Sequence, residues 1–176
     1  ALAAAEMNQS SGQELIAACV VGYEVQIRLG LAGGSSTHYK KGFHPSATCG
    51  IFGAAAAAGY LIGLDKDQYI SAFGIALSQS AGSMQFLTDG AWTKRSHVGQ
   101  AAQNGLSCAI MEAEGFKGPS NAFERHWSRR RLHPPTSLPA SLVTFRHLQP
   151  LPSLPPNTLP PPPLRTIHPT PPLFTP

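Results

Sequence analysis

Three basic side chains that can bind anions and exchange protons lie in two separated segments of the chain. His44 belongs to a predicted basic loop that begins at His38, and Lys94 and His97 lie in a second predicted basic loop, Trp92–His97. A lysine ammonium and imidazole N–H groups bind carboxylates, and imidazole gains or loses a proton near neutral pH. Together they suit proton transfer to or from a small substrate that carries several carboxylates. We therefore predict that the two segments meet in space and form one basic site.

Each segment leads into a stretch rich in alanine and glycine. Pro45 suits a first helical turn, and the uncharged run 47–64 predicts a central helix from about Pro45 to Gly63. Ser96 is predicted to cap a second helix that ends near Glu114. Small side chains let helices approach closely, so both helices are expected inside a bundle. His44 would then lie at a helix N-terminus, which favours anions.

Further helices are predicted in the rest of residues 1–125, with one irregular loop between them. Ser11-Gly12-Gln13-Glu14 is a capping box, and it opens a helix that ends near residues 30–34. Asp65 is predicted to cap the next helix, residues 78–92 to form an irregular loop, and residues 120–124 to begin a further helix. No strand alternation persists in residues 1–125. The predicted fold class is all-α, a fragment of a helical-bundle domain.

Three segments carry a family resemblance, in the order Gly42–Asp65 (GFHPSATCGIFGAAAAAGYLIGLD), Asp89–Leu106 (DGAWTKRSHVGQAAQNGL) and Gly115–Pro119 (GFKGP). Over about residues 1–124 the chain resembles the MmgE/PrpD family, which includes 2-methylcitrate dehydratase and cis-aconitate decarboxylase. The resemblance implies a homodimeric lyase that acts on a small tricarboxylic acid without a metal, an iron–sulfur cluster or another cofactor.

The resemblance also implies roles for four residues. His44 and Lys94 match family active-site positions and are expected to be catalytic. His97, which completes the second motif, and Met84, in the preceding glycine-rich loop, are expected to bind substrate. The residues themselves leave the reaction open, because one basic pocket can serve either dehydration or decarboxylation. Without the resemblance, a histidine before proline is more often a hydrogen-bonding residue at a helix end, and a methionine more often fills a core.

The family's proteins are several hundred residues long, with a large helical domain and a smaller α+β lid. Measured against that pattern, the chain is expected to be a truncated fragment. It would lack N-terminal helices, which carry an acidic and histidine-containing part of the site, and the lid. We therefore expect this chain alone to be catalytically inactive and only marginally stable.

The chain changes character at about residue 125. Of its 17 prolines, 15 lie in residues 134–176, and residues 126–176 contain five arginines and no acidic residue. The formal net charge of +4 therefore belongs to this tail, and it does not indicate nucleic-acid binding. We predict a partial helical domain over 1–125 and a disordered Pro/Arg-rich tail over 126–176 that is foreign to the family. The alternative function is a non-catalytic scaffold whose segment Leu159–Arg165 binds SH3 or WW domains.

Cysteine usage and hydropathy bear on the compartment. Cys19, Cys49 and Cys108 form no metal-binding spacing, and buried free thiols indicate a reducing compartment, cytoplasmic or mitochondrial. The run 47–64 is long enough for a membrane span. Its many alanines and glycines contribute little to insertion, so we predict a buried core helix and no membrane contact.

Overall fold

A computed structural model describes residues 1–123, apart from the side chain of Ser35. These residues form helices, an isolated bridge and no strand, so the all-α prediction is confirmed for this part of the chain. The predicted tail 126–176 and its candidate ligand Leu159–Arg165 lie outside the described residues. The helices are α1 (Leu2–Met7), α2 (Gly12–Gly33), α3 (Ser35–Lys40), α4 (Pro45–Thr48), α5 (Gly50–Ile62), α6 (Lys66–Gln79), α7 (Phe86–Asp89) and α8 (Thr93–Ala113).

Two helices begin at the caps that the sequence predicts. The Ser11 hydroxyl accepts a hydrogen bond from the Glu14 backbone N–H, while the Glu14 carboxylate accepts one from the Ser11 N–H at 2.7 Å. Asp65 and Gln68 make the same reciprocal pair at the start of α6. Each box satisfies backbone N–H groups that have no partner inside the helix.

The predicted start of α8 is wrong by four residues. The helix begins at Thr93 after Trp92, and Ser96 lies inside its first turn, where its hydroxyl donates to the Thr93 carbonyl at 2.8 Å. A serine within a helix can satisfy its hydroxyl in this way instead of capping a terminus. As a result, Lys94 and His97 lie on a helix and are held by its regular geometry.

The predicted central helix is present but divided. Cys49 separates α4 from α5, and Gly63 ends α5 in the left-handed conformation with φ 84°. Three other sequence predictions differ from the structure. His38 lies in α3 and not in a loop, α7 interrupts the predicted loop 78–92, and residues 120–123 are irregular rather than the start of a helix.

Helix α5 forms the centre of the bundle and packs against α8, α2 and α6. Glycines allow α5 to pack closely against α2 and α8. A Cβ on Gly53 would come within 2.7 Å of the Gly22 carbonyl oxygen in α2, and a Cβ on Gly105 in α8 would come within 2.5 Å of the Ile51 carbonyl oxygen. The small residues therefore set the distances between helices, as the composition predicts.

Two apolar clusters fill the space around α5. One surrounds its C-terminal half and includes Ala57, Ala58 and Leu61, while the other surrounds its N-terminal half and includes Ile51 and Phe52. Phe73 and Phe123 pack on Phe52 at ring-centroid distances of 6.1 and 5.2 Å. The second cluster supports the end of α5 that follows His44 and α4.

Five large apolar side chains of α2 are each more than half exposed, and we call them the exposed stripe. They are Ile16, Val20, Tyr23, Ile27 and Leu31. The face turned toward α5 instead carries small residues such as Ala18 and Gly22. The described residues thus leave a row of large apolar side chains uncovered on one helix.

Two helical stretches are long and apolar enough to cross a membrane by length and composition. Residues Pro45–Ile62 are 67% buried within the fold, as the core helix of a soluble protein would be, whereas Gly12–Gly33 is 17% buried. The sequence prediction weighed a span only for the run 47–64 and not for Gly12–Gly33. The predicted absence of membrane contact stays a prediction.

A buried carboxylate joins α8 to the segment that follows it. Glu112 is fully buried, accepts a short hydrogen bond from the Ser71 hydroxyl of α6, and pairs with Lys117 Nζ at 2.6 Å. The Ser71 oxygen also accepts the Gly118 N–H at 2.7 Å. The network fixes the Gly115–Pro119 motif against α6 and satisfies a charge that would be costly to bury alone.

Candidate active site

The two basic segments meet at a contact between two histidines. The Nδ1 atoms of His44 and His97 lie 3.1 Å apart, and both side chains are 8% exposed. His44 immediately precedes α4, and His97 lies in the second turn of α8. The prediction that the segments meet is therefore confirmed by the geometry.

Phe86 of α7 forms a common wall for the basic side chains. Its ring meets the edges of His44 and His97 at centroid distances of 5.9 and 5.6 Å, and Lys94 Nζ lies 5.8 Å from its centroid. Phe86 itself is 5% exposed. One aromatic ring thus brings His44, His97 and Lys94 into a single cluster, which we call the basic cluster.

Backbone contacts between two loops hold Phe86 in place. Phe43 and Ser83 form an antiparallel bridge, the His44 N–H donates to the Gly82 carbonyl at 2.9 Å, and the Met84 N–H donates to the Gly42 carbonyl at 2.8 Å. Gly82 has φ 131°, a conformation open mainly to glycine, and a Cβ there would collide with Ala47. The loop before α7 can therefore lie directly against α4.

The surroundings of His44 favour its neutral form. Burial is the main cause that lowers its pKa below the ordinary value of 6.5, and His97 and Lys94 lower it further. Because no negative charge offsets these effects among the described residues, His44 is a neutral imidazole near neutral pH. It can then act as a base or a hydrogen-bond donor, depending on its tautomer.

Lys94 and Arg95 lie side by side in the first turn of α8 but face different aromatic rings. Both are exposed. Lys94 lies over Phe86 beside the histidines, whereas the Arg95 guanidinium lies 5.3 Å from the ring of Trp92, which is 79% exposed. Only Lys94 of these two cations belongs to the basic cluster. It is open to solvent and so within reach of an anionic ligand.

Met84 lines a groove that the other three predicted site residues do not line. It lines an open groove of about 620 Å³ together with Tyr39, Lys41 and Phe43, and neither His44, His97 nor Lys94 lines that groove. Both residues of the Phe43–Ser83 bridge line the groove. The expected substrate-binding role of Met84 is not tested by this position.

Sequence reasoning missed Phe86 and Gly82. Phe86 stands in a stretch rich in glycine and serine, Ser78–Trp92, in which an aromatic residue without periodicity around it is a weak signal. Its spacing from His97 reveals the contact only once α7 and α8 are placed. For Gly82 the available signal was the residue type itself, because glycine is the default residue at left-handed or tightly packed positions.

The basic cluster suits an anionic substrate better than a metal ion. Within residues 1–123, no group of three or more His, Cys, Asp or Glu side chains lies close enough to bind one ion. The cluster offers one ammonium group and two imidazoles beside an apolar wall. Such groups can bind a carboxylate and transfer a proton in a site that is partly shielded from water.

Comparison with known proteins agrees with the geometry. The MmgE/PrpD N-terminal domain matches residues 1–133, which include all of the described helices. The match therefore covers the basic cluster, its aromatic wall and the Gly115–Pro119 motif.

Curated relatives share about a third of their residues with the chain. The cis-aconitate decarboxylase-like protein oryM of Aspergillus oryzae is 36% identical over 117 residues, which are 66% of this chain and 24% of the relative. The cis-aconitate decarboxylase of Aspergillus terreus is 35% identical over 66% of this chain and 24% of the relative. The cis-aconitate decarboxylase of Homo sapiens is 35% identical over 65% of this chain and 23% of the relative. The chain thus spans about a quarter of the length of these relatives.

Proposed function

We propose that this chain, which belongs to the MmgE/PrpD family, supplies the histidine- and lysine-bearing part of a lyase active site. The observation that carries the proposal is the packing of His44, His97 and Lys94 around Phe86. Because three of the relatives described above are cis-aconitate decarboxylases or are named as resembling one, cis-aconitate is the first substrate we propose, with 2-methylcitrate second.

In the basic cluster, Lys94 supplies the charge that binds substrate and His44 transfers the proton. Lys94 binds a substrate carboxylate, since an ammonium at the edge of an apolar wall attracts anions more strongly than one in bulk water. In a decarboxylation, the bond from carbon to one carboxylate breaks, carbon dioxide leaves and the electron pair stays on carbon. His44, once it has taken up a proton from solvent, delivers that proton to the carbon and returns to its neutral form.

A dehydration would use the same groups with the steps changed. A base removes a proton from carbon, the carbon–oxygen bond breaks, and an acid protonates the departing hydroxyl to give water. His44 and His97 lie close enough together to share these roles. The cluster by itself is therefore compatible with both reactions, and the substrate decides between them.

We further propose that the chain is one segment of a longer, homodimeric protein and is inactive alone. The charges that act on His44 within the described residues come from His97 and Lys94, so no carboxylate there orients or charges the imidazole. A lyase site needs acid, base and carboxylate-binding groups held together. The chain's quarter share of the relatives' length is consistent with the missing groups lying elsewhere.

We also place the protein inside the cell, in the cytoplasm or mitochondrion. Cys19, Cys49 and Cys108 are free, and the last two are buried. Burial raises the pKa of the Cys108 thiol to about 11 and also raises that of Cys49. These thiols stay protonated and unreactive, as expected for core cysteines in a reducing compartment.

The deciding experiment compares substrates side by side. The full-length protein that carries this segment is assayed with cis-aconitate and with 2-methylcitrate, measuring carbon dioxide release from the first and loss of water from the second. We expect turnover of at least one, and of cis-aconitate first. Absence of turnover of both by a folded full-length protein would refute the proposed function. The 176-residue chain is assayed in parallel, and turnover by it would refute its inactivity.

A further inference from the structure

The contact between His44 and His97 restricts where their protons can be. At 3.1 Å, one Nδ1 must donate a hydrogen bond and the other must accept it, because two N–H groups or two lone pairs facing each other would repel. A neutral imidazole carries a proton on one ring nitrogen only. The donor ring therefore has a bare Nε2, and the acceptor ring carries its proton on Nε2.

We propose that His97 is a positioning residue for His44: the hydrogen bond between their Nδ1 atoms sets the tautomer of His44 and makes the two Nε2 atoms a complementary acid and base. The catalytic meaning of this inference rests on the proposed function and deepens it. It also differs from the direct substrate contact that the family resemblance implies for His97.

The surroundings of the pair leave this hydrogen bond without a competitor. Phe86 lies against both rings and offers no side-chain nitrogen or oxygen. Among the described side chains, the buried nitrogen or oxygen atom without a hydrogen-bond partner is His38 Nδ1. The Nε2 atoms of His44 and His97 are therefore not sealed from solvent, and a substrate or water can reach them.

The pair also resists taking up a second positive charge. If both rings were protonated, two N–H groups would face each other across 3.1 Å. The ammonium of Lys94 on α8 adds to that repulsion. A second proton on the pair would therefore break the hydrogen bond between the two Nδ1 atoms.

Proton movement along the hydrogen bond exchanges the two roles. In the state where His44 is the donor, its bare Nε2 takes a proton from the substrate. The proton on His44 Nδ1 then passes to His97 Nδ1, and the proton on His97 Nε2 leaves to solvent. Two N–H bonds form and two break, so the pair ends neutral with both tautomers reversed.

The test reads the tautomers directly and needs no substrate. The 176-residue chain is labelled with ¹⁵N, and long-range ¹H–¹⁵N correlation of the imidazole rings is recorded near neutral pH. The signals are assigned with His44→Asn and His97→Asn. We expect His44 and His97 to show opposite tautomers. The same tautomer in both rings, or an averaged mixture in each, overturns the proposal.

Two substitutions separate a positioning role from a purely structural one. In His97→Asn the side-chain amide lies near the former Nδ1 and can still hydrogen-bond His44, so we expect His44 to keep one tautomer. In His97→Leu the partner is lost, and we expect a mixture of tautomers. A His44 that keeps a single tautomer opposite leucine overturns the proposal.

These readouts stay separate from the proposed function. If the leucine variant fails to fold, the measurement on the unsubstituted chain decides alone. Opposite tautomers in a protein whose full-length form lacks lyase turnover would refute the function and leave the inference standing. Turnover together with identical tautomers would refute the inference and leave the proposed function standing.

Discussion

His44 Nδ1 lies 3.1 Å from His97 Nδ1 although 53 residues separate the two histidines in the chain. The contact joins the residue before α4 to the second turn of α8. Neither segment alone predicts this contact, because the distance between the two histidines depends on how closely α8 packs against α5. Substitutions at that crossing therefore test whether the site is built on the helix packing.

We predict that Gly105→Ala destabilises the fold by about 1–3 kcal/mol, since forcing a methyl group into a filled crossing strains the core. Its Cβ would come within 2.5 Å of both the Ala54 Cβ and the Ile51 carbonyl oxygen. Gly99→Ala is the matched control on the same helix, because a Cβ there would have no neighbour within 4 Å. It should stabilise the helix by up to about 1 kcal/mol through helix propensity. Denaturant unfolding of the two variants should move in opposite directions, and equal shifts would contradict the described packing.

The buried carboxylate of Glu112 predicts an asymmetric response to substitution. Lys117→Ala leaves the carboxylate buried without its cation, so we expect a loss of about 1–3 kcal/mol. The lysine side chain is 67% exposed, which excludes loss of packing as the main cause. Lys66→Ala, at an exposed position in α6, should change stability by less than about 0.5 kcal/mol.

A second substitution tests the cause of that loss. Adding Glu112→Gln to Lys117→Ala removes the unpaired charge, so it should recover part of the lost unfolding free energy. If the double variant is less stable than Lys117→Ala alone, the buried charge does not explain the effect.

The lowered pKa of His44 predicts that the chain loses stability in mild acid. The unfolded chain takes up a proton near pH 6.5, while burial makes the folded chain resist it. The unfolding free energy should therefore be fully present above about pH 7 and decline as the pH falls through 6.5 toward the folded pKa. His38 contributes with the same sign, because burial and Lys41 lower its pKa as well.

Denaturant melts between about pH 7.5 and pH 5, a range set by the ordinary titration of histidine, measure this dependence. His44→Gln and His38→Gln should each reduce the decline, and the double variant should reduce it most. A decline that is unchanged in the double variant would assign the acid sensitivity to other groups.

The sequence predicted most of the elements but few of the contacts. Capping residues and glycines act locally, so the starts of α2 and α6 and the end of α5 follow from Ser11, Asp65 and Gly63. The start of α8 did not, because Ser96 is a good capping residue and only the structure shows its hydroxyl bonded inside the helix.

The side on which a helix packs and the distances between side chains were harder to predict than the positions of the helices. Spacings of three and four predict one apolar stripe on α2, with the members Leu15, Ile16, Cys19, Val20, Tyr23 and Ile27. Four of these six side chains are more than half exposed, and the small-residue side of the helix lies against α5 instead. His44, Lys94 and His97 were found from their chemistry and from the family resemblance. Their arrangement around Phe86 required the placement of α7, a four-residue helix with no periodicity of its own.

The exposed stripe of α2 predicts that the purified chain associates with itself. Four of its members are Ile16, Val20, Tyr23 and Ile27, each more than half exposed. Large uncovered apolar patches favour association, and in a purified sample another copy of the chain is the available cover. We expect analytical ultracentrifugation to show concentration-dependent dimers or larger species.

Charged substitutions on the stripe check this prediction. Val20→Lys and Ile27→Glu should each shift the chain toward monomer while leaving its melting temperature nearly unchanged, because neither side chain packs in the core. Ala18→Lys is the contrasting variant, since Ala18 is fully buried and the change should unfold the helix packing. A wild-type chain that stays monomeric at high concentration would contradict the prediction.

The central claim is that Lys94 acts with the histidines as part of a lyase site, and its neighbour Arg95 provides a matched comparison. The most direct measurement is kcat/KM for cis-aconitate in the full-length protein that carries this segment, with Lys94→Ala and Arg95→Ala side by side. Lys94→Ala should lower kcat/KM by about 10²–10³-fold, the usual cost of losing one positioned charge-stabilising group. Arg95→Ala should change it by less than about twofold, since the guanidinium lies over Trp92 and outside the basic cluster. Equal effects of the two substitutions, or no loss with Lys94→Ala, would contradict the account.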